Sequence, residues 1–262
     1  MEFKYLTVER QAHVAIVSLN RPEVANALSL DHLSEISACA KSFEEDAETR
    51  VVIFTGAGKH FSSGADLDDL PKQLEASLVL KRRRFRAGER AMQAILEMDQ
   101  ITIGAWNGGA IGGGACLATA MDFRIGAVGC FIQYPEIDLG LNLMWQSLPL
   151  TIRLVGPSKA KRLVIGGERI HDETLLSWGL LEDLVPLKEL LPRALSFAET
   201  YVNKSPVAAQ MIKRSVNQIT GALDRAIMHM DADQNIFAMT TDDQTAAAEA
   251  YMAGTQPNFV GD

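Results

Sequence analysis

The chain has 262 residues, a formal net charge of −8 at pH 7 and 47% hydrophobic residues. This size and composition predict one main folded core with a terminal extension, and they exclude a fibrous or disordered chain. The negative charge argues against general nucleic-acid binding, which requires clustered lysine and arginine side chains against the phosphates. One basic run extends from Lys81 to Arg86. It indicates a solvated helix face, or alternatively a contact for a phosphorylated ligand.

Several other classes of protein lack support in the sequence. Residues 1–10 mix charged and apolar side chains, unlike a secretory signal peptide, and no run approaches the ~20 apolar residues that a membrane span needs. Cys39, Cys116 and Cys130 have neither disulfide-like nor zinc-like spacing. We therefore expect a cytoplasmic protein with no metal ion, no nucleic-acid partner and no membrane association.

Strands and helices are predicted to alternate in the first part of the chain. Val14–Leu19 and Val51–Thr55 are β-branched, apolar runs that predict buried strands. Between them Ser29 is suited to cap a helix, because apolar residues then recur every three or four positions from Leu30 to Phe43. A helical period also runs from Pro71 to Met98.

The alternation continues further along the chain. Ile101–Trp106 and Phe123–Ala127 predict two more strands, separated by the glycine-rich turn Gly108–Gly114 and a helix over Ala115–Met121. From Leu148 onward the pattern is mostly helical. Strands that alternate with helices predict an α/β core of βαβ units. We divide the chain into a core of residues 1–192 and a helical region of residues 193–262.

Two turns of small residues are candidates for a functional site. The first, His60–Leu67, follows a predicted strand, and the second, Gly108–Gly114, opens a predicted helix. Glycine lets a backbone approach a ligand closely, and the first amides of a helix are free to donate. Two such turns side by side would form an oxyanion hole, although tight turns without a function are the alternative. Neither turn matches a dinucleotide fingerprint, a phosphate-binding P-loop or a serine nucleophile elbow.

Short motifs in a fixed order resemble the crotonase, or enoyl-CoA hydratase/isomerase, superfamily along nearly the whole chain. They are Asn20-Arg21-Pro22, Asn26-Ala27-Leu28, Phe61-Ser62-Ser63-Gly64-Ala65-Asp66-Leu67, Gly112-Gly113-Gly114, Asp122-Phe123-Arg124-Ile125, Pro135-Glu136-Ile137-Asp138-Leu139-Gly140, Val155-Gly156-Pro157, Trp178-Gly179-Leu180 and Pro257-Asn258-Phe259. The resemblance implies an α/β crotonase fold, which is a spiral of ββα units. It also implies a helical C-terminal region that mediates trimerisation, with a homotrimer or hexamer as the assembly.

The resemblance also implies a substrate and the backbone that holds it. The N–H groups of Ala65 and Gly113 would bind the thioester oxygen of an acyl-CoA substrate. The backbone at Ser63, Ala65, Asp66 and Leu67 would cradle the adenine end of coenzyme A. Because coenzyme A is part of the substrate, no separate cofactor is expected.

Glu136 lies at the position where the family often keeps a catalytic glutamate, so it is the predicted catalytic base, with a surface glutamate as the alternative. It follows Pro135 in an apolar context, where burial would raise the pKa of its carboxyl towards neutrality. The family's hydratases use a second glutamate, two residues past the third glycine, and this chain has Cys116 there. Met144 and Trp145 are bulky where the family has very small residues. One carboxylate suffices to shift a double bond, so we favour an enoyl-CoA isomerase over a hydratase.

Several alternatives remain open at this stage. Hydration is possible if Asp138, Asp68 or Asp69 supplies the second group, although each is also suited to a surface or capping role. A non-catalytic acyl-CoA-binding protein, or another reaction of a coenzyme A ester such as hydrolysis or decarboxylation, is also compatible with the sequence. His60 could contact a phosphate and Gln146 could orient a water molecule, but both are also suited to structural roles.

Overall fold

The computed structural model describes residues 2–69 and 75–262. In these ranges a six-stranded sheet has the order β1-β2-β3-β4-β6-β9, with β1 and β2 antiparallel and the other neighbours parallel. Its strands are β1 (Leu6–Gln11), β2 (Val14–Leu19), β3 (Val51–Gly56), β4 (Ile101–Trp106), β6 (Phe123–Ala127) and β9 (Asp183–Val185). A three-stranded sheet contains β5 (Gly109–Ile111), β7 (Phe131–Gln133) and β8 (Ile170–His171).

The helices cover both faces of the main sheet and form the C-terminal part of the chain. They are α1 (Leu30–Lys41), α2 (Leu78–Phe85), α3 (Ala87–Leu96), α4 (Gly113–Thr119), α5 (Ser147–Val155), α6 (Pro157–Val164), α7 (Asp172–Ser177), α8 (Leu190–Val202), α9 (Pro206–Gly221), α10 (Asp224–Met228), α11 (Asp231–Ala238) and α12 (Asp242–Ala253). No helix among the described residues is long and apolar enough to cross a membrane.

The core forms because the central strands are apolar on both faces. In β3, Val52 and Phe54 point into a large cluster that includes α1 and α3, whereas Val51 and Ile53 point to the opposite face, against α8. This alternation follows from the two-residue period of a strand. A parallel sheet covered on both sides needs such continuous apolar runs, which is why these strands were visible in the sequence.

The predicted strands and the capped helix are confirmed. Ser29 caps α1 by accepting a hydrogen bond from the N–H of His32 (3.2 Å). The sequence patterns did not indicate β1, β5, β7, β8 and β9, most of which have only two or three residues. Such short strands show too few alternations to be recognised, and β5 lies inside the predicted glycine-rich turn.

The predicted helical stretch from Pro71 to Met98 is two helices. Its first residues, 71–74, lie outside the described ranges. Ser77 then caps α2, and the backbone at Arg86 leaves the helical conformation (φ −84°, ψ 7°) before α3 begins. The break sets the helix with the basic run apart from α3, which packs into the core.

The division at residue 192 falls within α8. Leu190, Ala194 and Ala198 of this helix pack against the main sheet, so the chain leaves the sheet only after Val202. The apolar period of α8 is the same for packing on a sheet as for packing in a helical bundle. The sequence therefore could not show which of the two surfaces the helix covers.

A buried ion pair attaches the C-terminal helices to the core. The Nζ atom of Lys213, on α9, lies 2.7 Å from Asp122 Oδ2 and donates to the carbonyl oxygen of Gln100 (2.7 Å). The same carboxylate oxygen accepts hydrogen bonds from the N–H and hydroxyl of Thr102. Lys213 thus connects α9 to the ends of β4 and β6.

We predict that Lys213→Ala lowers the free energy of unfolding by about 3 kcal/mol, because it leaves Asp122 without its cation. Lys204→Ala is the control, since Lys204 is exposed and should change stability little. Urea denaturation followed by circular dichroism measures both. Equal stability of the two variants would contradict the role of the ion pair.

Candidate active site

Two chain segments meet at the carboxyl ends of β3 and β4. They are the loop after β3, residues 57–66, and the segment 109–113 that contains β5. The N–H of Ser62 donates to the carbonyl oxygen of Gly109 (3.2 Å), and the N–H of Ile111 donates to that of Ser62 (3.0 Å). These two hydrogen bonds hold the segments side by side, as the two small-residue turns predicted.

Gly64 brings the two segments into direct contact. A Cβ atom at this position would lie 2.6 Å from the carbonyl oxygen of Ile111 and 3.2 Å from the amide nitrogen of Gly113. Its φ of +90° is also a conformation that side chains rarely adopt. Only glycine satisfies both constraints without a shift, so the amide-bearing segments can approach this closely.

The amides of Ala65 and Gly113 are free at this junction. Neither N–H group donates a hydrogen bond to another described residue. Ala65 is held between two backbone hydrogen bonds, from Leu28 N–H to the carbonyl of Gly64 (2.8 Å) and from Asp66 N–H to that of Leu28 (3.1 Å). Gly113 is the first residue of α4, so its N–H has no partner within the helix. Two rigidly held donors are what an oxyanion hole requires.

Side chains of the Asn20–Leu28 segment form hydrogen bonds that hold the loop after β3 in place. Arg21 donates to the carbonyl oxygen of Ala27 and to Asp66 Oδ2, both at 2.7 Å. The buried Asn26 side chain donates to the carbonyl oxygens of Ala57 and His60, both at 2.9 Å. The carboxylate of Asp66 therefore pairs with Arg21. Its backbone N–H and carbonyl oxygen are bonded to Leu28 and Asp69, and its predicted contact with coenzyme A stays a prediction.

The other residues predicted to contact coenzyme A lie along the same loop. Ser63 is half-buried, and Leu67 is exposed in a 3₁₀ turn over Leu67–Asp69. Their position is compatible with the predicted adenine contact, which stays a prediction. The supporting role of Arg21 and Asn26 was not inferred from the sequence, although the Asn20-Arg21-Pro22 motif contains the signal.

Glu136 lies against the second segment. It belongs to a 3₁₀ helix, Pro135–Leu139, which ends at Gly140 in the left-handed conformation. A Cβ atom on Gly112 would be 3.1 Å from Glu136 Oε1, and the other oxygen, Oε2, is buried without a hydrogen-bond partner among the described residues. Burial raises the pKa of this carboxyl to about 7. Glu136 can therefore accept a proton near neutral pH.

Cys116, on α4, lies close enough to Glu136 for the charge of that carboxylate to act on its thiol. The side chain is buried, and burial together with the negative charge of Glu136 raises the pKa of the thiol well above its ordinary value. The thiol is therefore neutral and a weak hydrogen-bonding group. It cannot replace a carboxylate that activates water.

The three aspartates considered as second groups have other environments. Asp69 accepts a hydrogen bond from the N–H of Leu30 (3.0 Å) at the start of α1. Asp68 and Asp138 are exposed, and the carboxylate of Asp138 lies close to Gly167. None of these three carboxylates is buried beside the carboxylate of Glu136.

His60 and Gln146 have structural roles. His60 Nδ1 accepts a hydrogen bond from the N–H of Gly109 (3.3 Å), and burial lowers the pKa of its imidazole. Gln146 is buried, with its side-chain amide between Gln93 (2.9 Å) and Glu89 (3.0 Å). Both side chains therefore hold neighbouring segments in place.

Part of the basic run is also paired within the chain. Arg82 forms a two-point ion pair with Asp233, and Arg86 forms one with Glu89. These arginines attach α2 and the start of α3 to their surroundings. The exposed Arg83 is the position in the run that best fits the predicted solvated helix face.

Comparisons with known proteins identify the family of this chain. A sequence profile described as Enoyl-CoA hydratase/isomerase matches residues 9–262. The chain is 32% identical, over 99% of both sequences, to a protein named crotonyl-CoA hydratase from Syntrophomonas wolfei. The chain therefore belongs to the enoyl-CoA hydratase/isomerase family, and its fold is the crotonase fold.

Solved structures are similar along most of the chain. An enoyl-CoA hydratase from Bacillus anthracis superposes with a TM-score of 0.78 at 30% identity, covering 99% of this chain and 100% of that one. A monofunctional enoyl-CoA isomerase from M. smegmatis superposes with a TM-score of 0.71 at 29% identity, covering 82% and 93%. Proteins named for either activity thus share the architecture described above.

We predict that Gly64→Ala destabilises the protein by ~2 kcal/mol more than Gly129→Ala. Both glycines have a φ of +90°, but a Cβ at Gly129 meets nothing within 4 Å, whereas at Gly64 it collides with the second segment. Conformational strain is therefore common to both variants, and overpacking affects Gly64→Ala alone. Chemical denaturation measures the difference. Equal losses would show that the segments are not in tight contact.

Proposed function

We propose that this protein is an acyl-CoA thioester enzyme that stabilises an enolate and shifts the double bond of an enoyl-CoA. The observation that carries the proposal is the placement of one buried carboxylate, Glu136, against the segment that carries the free amide of Gly113. The neutral Cys116 occupies the position where a second carboxylate would be needed for hydration. The family membership supports the substrate class.

In the proposed reaction the thioester oxygen accepts hydrogen bonds from the N–H groups of Ala65 and Gly113. Glu136 removes a proton from C2 of a 3-enoyl-CoA, and the C2–H electron pair moves into a dienolate whose negative charge rests on the thioester oxygen. The dienolate then collapses, and C4 takes the proton back from Glu136. The double bond ends between C2 and C3, with no net gain or loss of atoms.

Each element of this geometry has an energetic role. Loss of one donor from an oxyanion hole typically costs ~3 kcal/mol of transition-state stabilisation. A base with a pKa near 7 is ionised often enough to act, yet basic enough to take a weakly acidic proton. Because Glu136 also holds a proton readily near pH 7, the same carboxyl group can return the proton to the substrate.

Hydration is the second candidate, and the names of the relatives favour it. The relative from Syntrophomonas wolfei is named a hydratase. Ser147 is a polar group next to Cys116, and its buried hydroxyl could hold a water molecule. Hydration would add the water oxygen at C3 and a proton at C2, and the product would be a 3-hydroxyacyl-CoA.

The assembly and the binding of coenzyme A are part of the same proposal. We propose a homotrimer or hexamer, with the helical region covered by other copies of the chain. Exposed apolar side chains on α9, including Met211, Ile212 and Ile219, support this arrangement. The backbone from Ser63 to Leu67 is proposed to hold the adenine end of the substrate.

We predict that Glu136→Gln reduces kcat for 3-hexenoyl-CoA by about 10³-fold, because the amide cannot accept the proton. Binding of butyryl-CoA should survive, since a glutamine side chain at this position would preserve the shape of the site. Asp138→Asn, two residues away and exposed, is the matched control and should retain activity.

The product analysis separates the candidates. An ultraviolet assay with 3-hexenoyl-CoA and crotonyl-CoA, followed by chromatography, distinguishes conjugated 2-enoyl-CoA from 3-hydroxyacyl-CoA. Formation of the 3-hydroxyacyl product would replace isomerisation by hydration as the function. Full activity of Glu136→Gln would contradict the assigned base, and binding without turnover would indicate a non-catalytic member of the family.

We also predict that kcat/KM for the double-bond shift rises with pH and levels off above about pH 7. The base must be ionised, and burial raises the pKa of Glu136 to about 7, so the active form is lost as the pH falls below that value. The decline should approach roughly tenfold per pH unit in the acid range. Stopped-flow assays from pH 5 to pH 9 would check it, and a midpoint near the ordinary glutamate value of ~4.3 would contradict the burial argument.

A further inference from the structure

Trp145 fills the space between two helices beside the candidate oxyanion hole. A Cβ atom on Gly88, in α3, would lie 1.9 Å from its Cε2 atom, and one on Gly113 would lie 2.4 Å from its Cη2 and Cζ3 atoms. The indole therefore fills the space between the backbones of these two glycines. It is only 8% exposed, so nearly all of its surface is in contact with protein.

The backbone at Trp145 is held in an unusual conformation. Trp145 and Gln146 both have positive φ angles, 64° and 56°, which are uncommon for residues other than glycine. Such a conformation persists only where the surroundings enforce it. The N–H of Gln146 donates to Asp231 Oδ2 (2.7 Å), from α11.

The side chain of Gln146 adds a second restraint. Its amide oxygen accepts from Gln93 and its amide nitrogen donates to Glu89, both on α3. The segment that carries the indole is thus tied to α3 on one side and to the C-terminal helices on the other. This arrangement fixes Trp145 and prevents the ring from swinging aside easily.

We propose that Trp145 forms the end wall of the acyl site and restricts the enzyme to short acyl groups. This inference rests on the proposed function, because the position of the acyl group follows from its thioester oxygen at the amides of Ala65 and Gly113. An acyl chain that starts there begins beside the gap between Gly88 and Gly113. The indole occupies that gap, so a long acyl chain that extends in this direction meets the ring.

The proposed limit on the length of the acyl group arises from the packing of the indole and not from charge. The ring lies against the glycine backbones, and the hydrogen bonds of Gln146 restrain the backbone next to the residue that carries the ring. Glycine at position 88 is required for this arrangement, because any side chain there would overlap the indole. Trp145 is therefore a determinant of specificity, whereas Asp231 and Gln146 are positioning residues that act through it.

The test is calorimetric titration with coenzyme A, butyryl-CoA and octanoyl-CoA, saturated ligands that cannot undergo the reaction. The variants are Trp145→Ala, Trp145→Phe and Trp178→Ala. Trp178 is the matched control, since it is half-buried under Lys159 and Arg162 on another part of the chain.

The wild-type protein should bind octanoyl-CoA at least about 10-fold more weakly than butyryl-CoA. Trp145→Ala should remove that difference and leave the affinity for coenzyme A itself nearly unchanged. Trp145→Phe should recover part of the octanoyl-CoA affinity, and Trp178→Ala should behave as wild type. The phenylalanine variant keeps a ring in the gap, so it remains informative if the alanine variant fails to fold.

Two results would overturn the inference. One is a wild-type protein that binds octanoyl-CoA as tightly as butyryl-CoA, and the other is an unchanged ratio in a folded Trp145 variant. These results are distinct from failure of the proposed function, which is measured by turnover in Glu136→Gln. If no coenzyme A ester binds the wild-type protein, the inference and the proposed function fail together.

Discussion

The candidate site depends on the backbone contact between the loop after β3 and the segment that leads into α4. Two hydrogen bonds through Ser62 hold these segments together, and Gly64 allows them to touch. The amide of Ala65 is free because its bridge to Leu28 uses the carbonyl of Gly64 and the N–H of Asp66. The amide of Gly113 is free because this residue begins α4. Two donors that are held by their neighbours and have no partner among the described residues are the arrangement that an oxyanion hole requires, which is why the site points to a ligand oxygen.

Burial of a carboxylate next to this contact gives the site its chemistry. Glu136 has one oxygen without a hydrogen-bond partner among the described residues, and desolvation raises the pKa of its carboxyl to about 7. A surface glutamate would be ionised but weakly basic, and it would be surrounded by water. The short 3₁₀ helix that ends at Gly140 presents the carboxylate to Gly112. The placement of the Glu136 carboxylate against Gly112 therefore explains both its position and its raised pKa.

The C-terminal helices contribute to the site through polar contacts. Asp231 holds the backbone of Gln146, and Lys213 pairs with Asp122 between β4 and β6. Burial raises the pKa of Asp231, so its carboxylate is kept in place at a cost in solvation. Such contacts are directional, and they fix the orientation of a segment more strictly than apolar packing does. The contact between Asp231 and the N–H of Gln146 restrains the backbone next to Trp145.

The sequence by itself determined the central strands, the first helix and the two small-residue turns, and its resemblance to a family supplied the candidate base. These features depend on local patterns, such as continuous apolar runs, a serine cap and glycine spacing, which a chain carries in its order of residues. Tertiary structure alone decided what those residues contact. Asp66 pairs with Arg21, forty-five positions away, and Trp145 lies between Gly88 and Gly113. Contacts between distant segments follow from how the elements pack, because residues far apart in the chain leave no periodic signal that predicts their meeting.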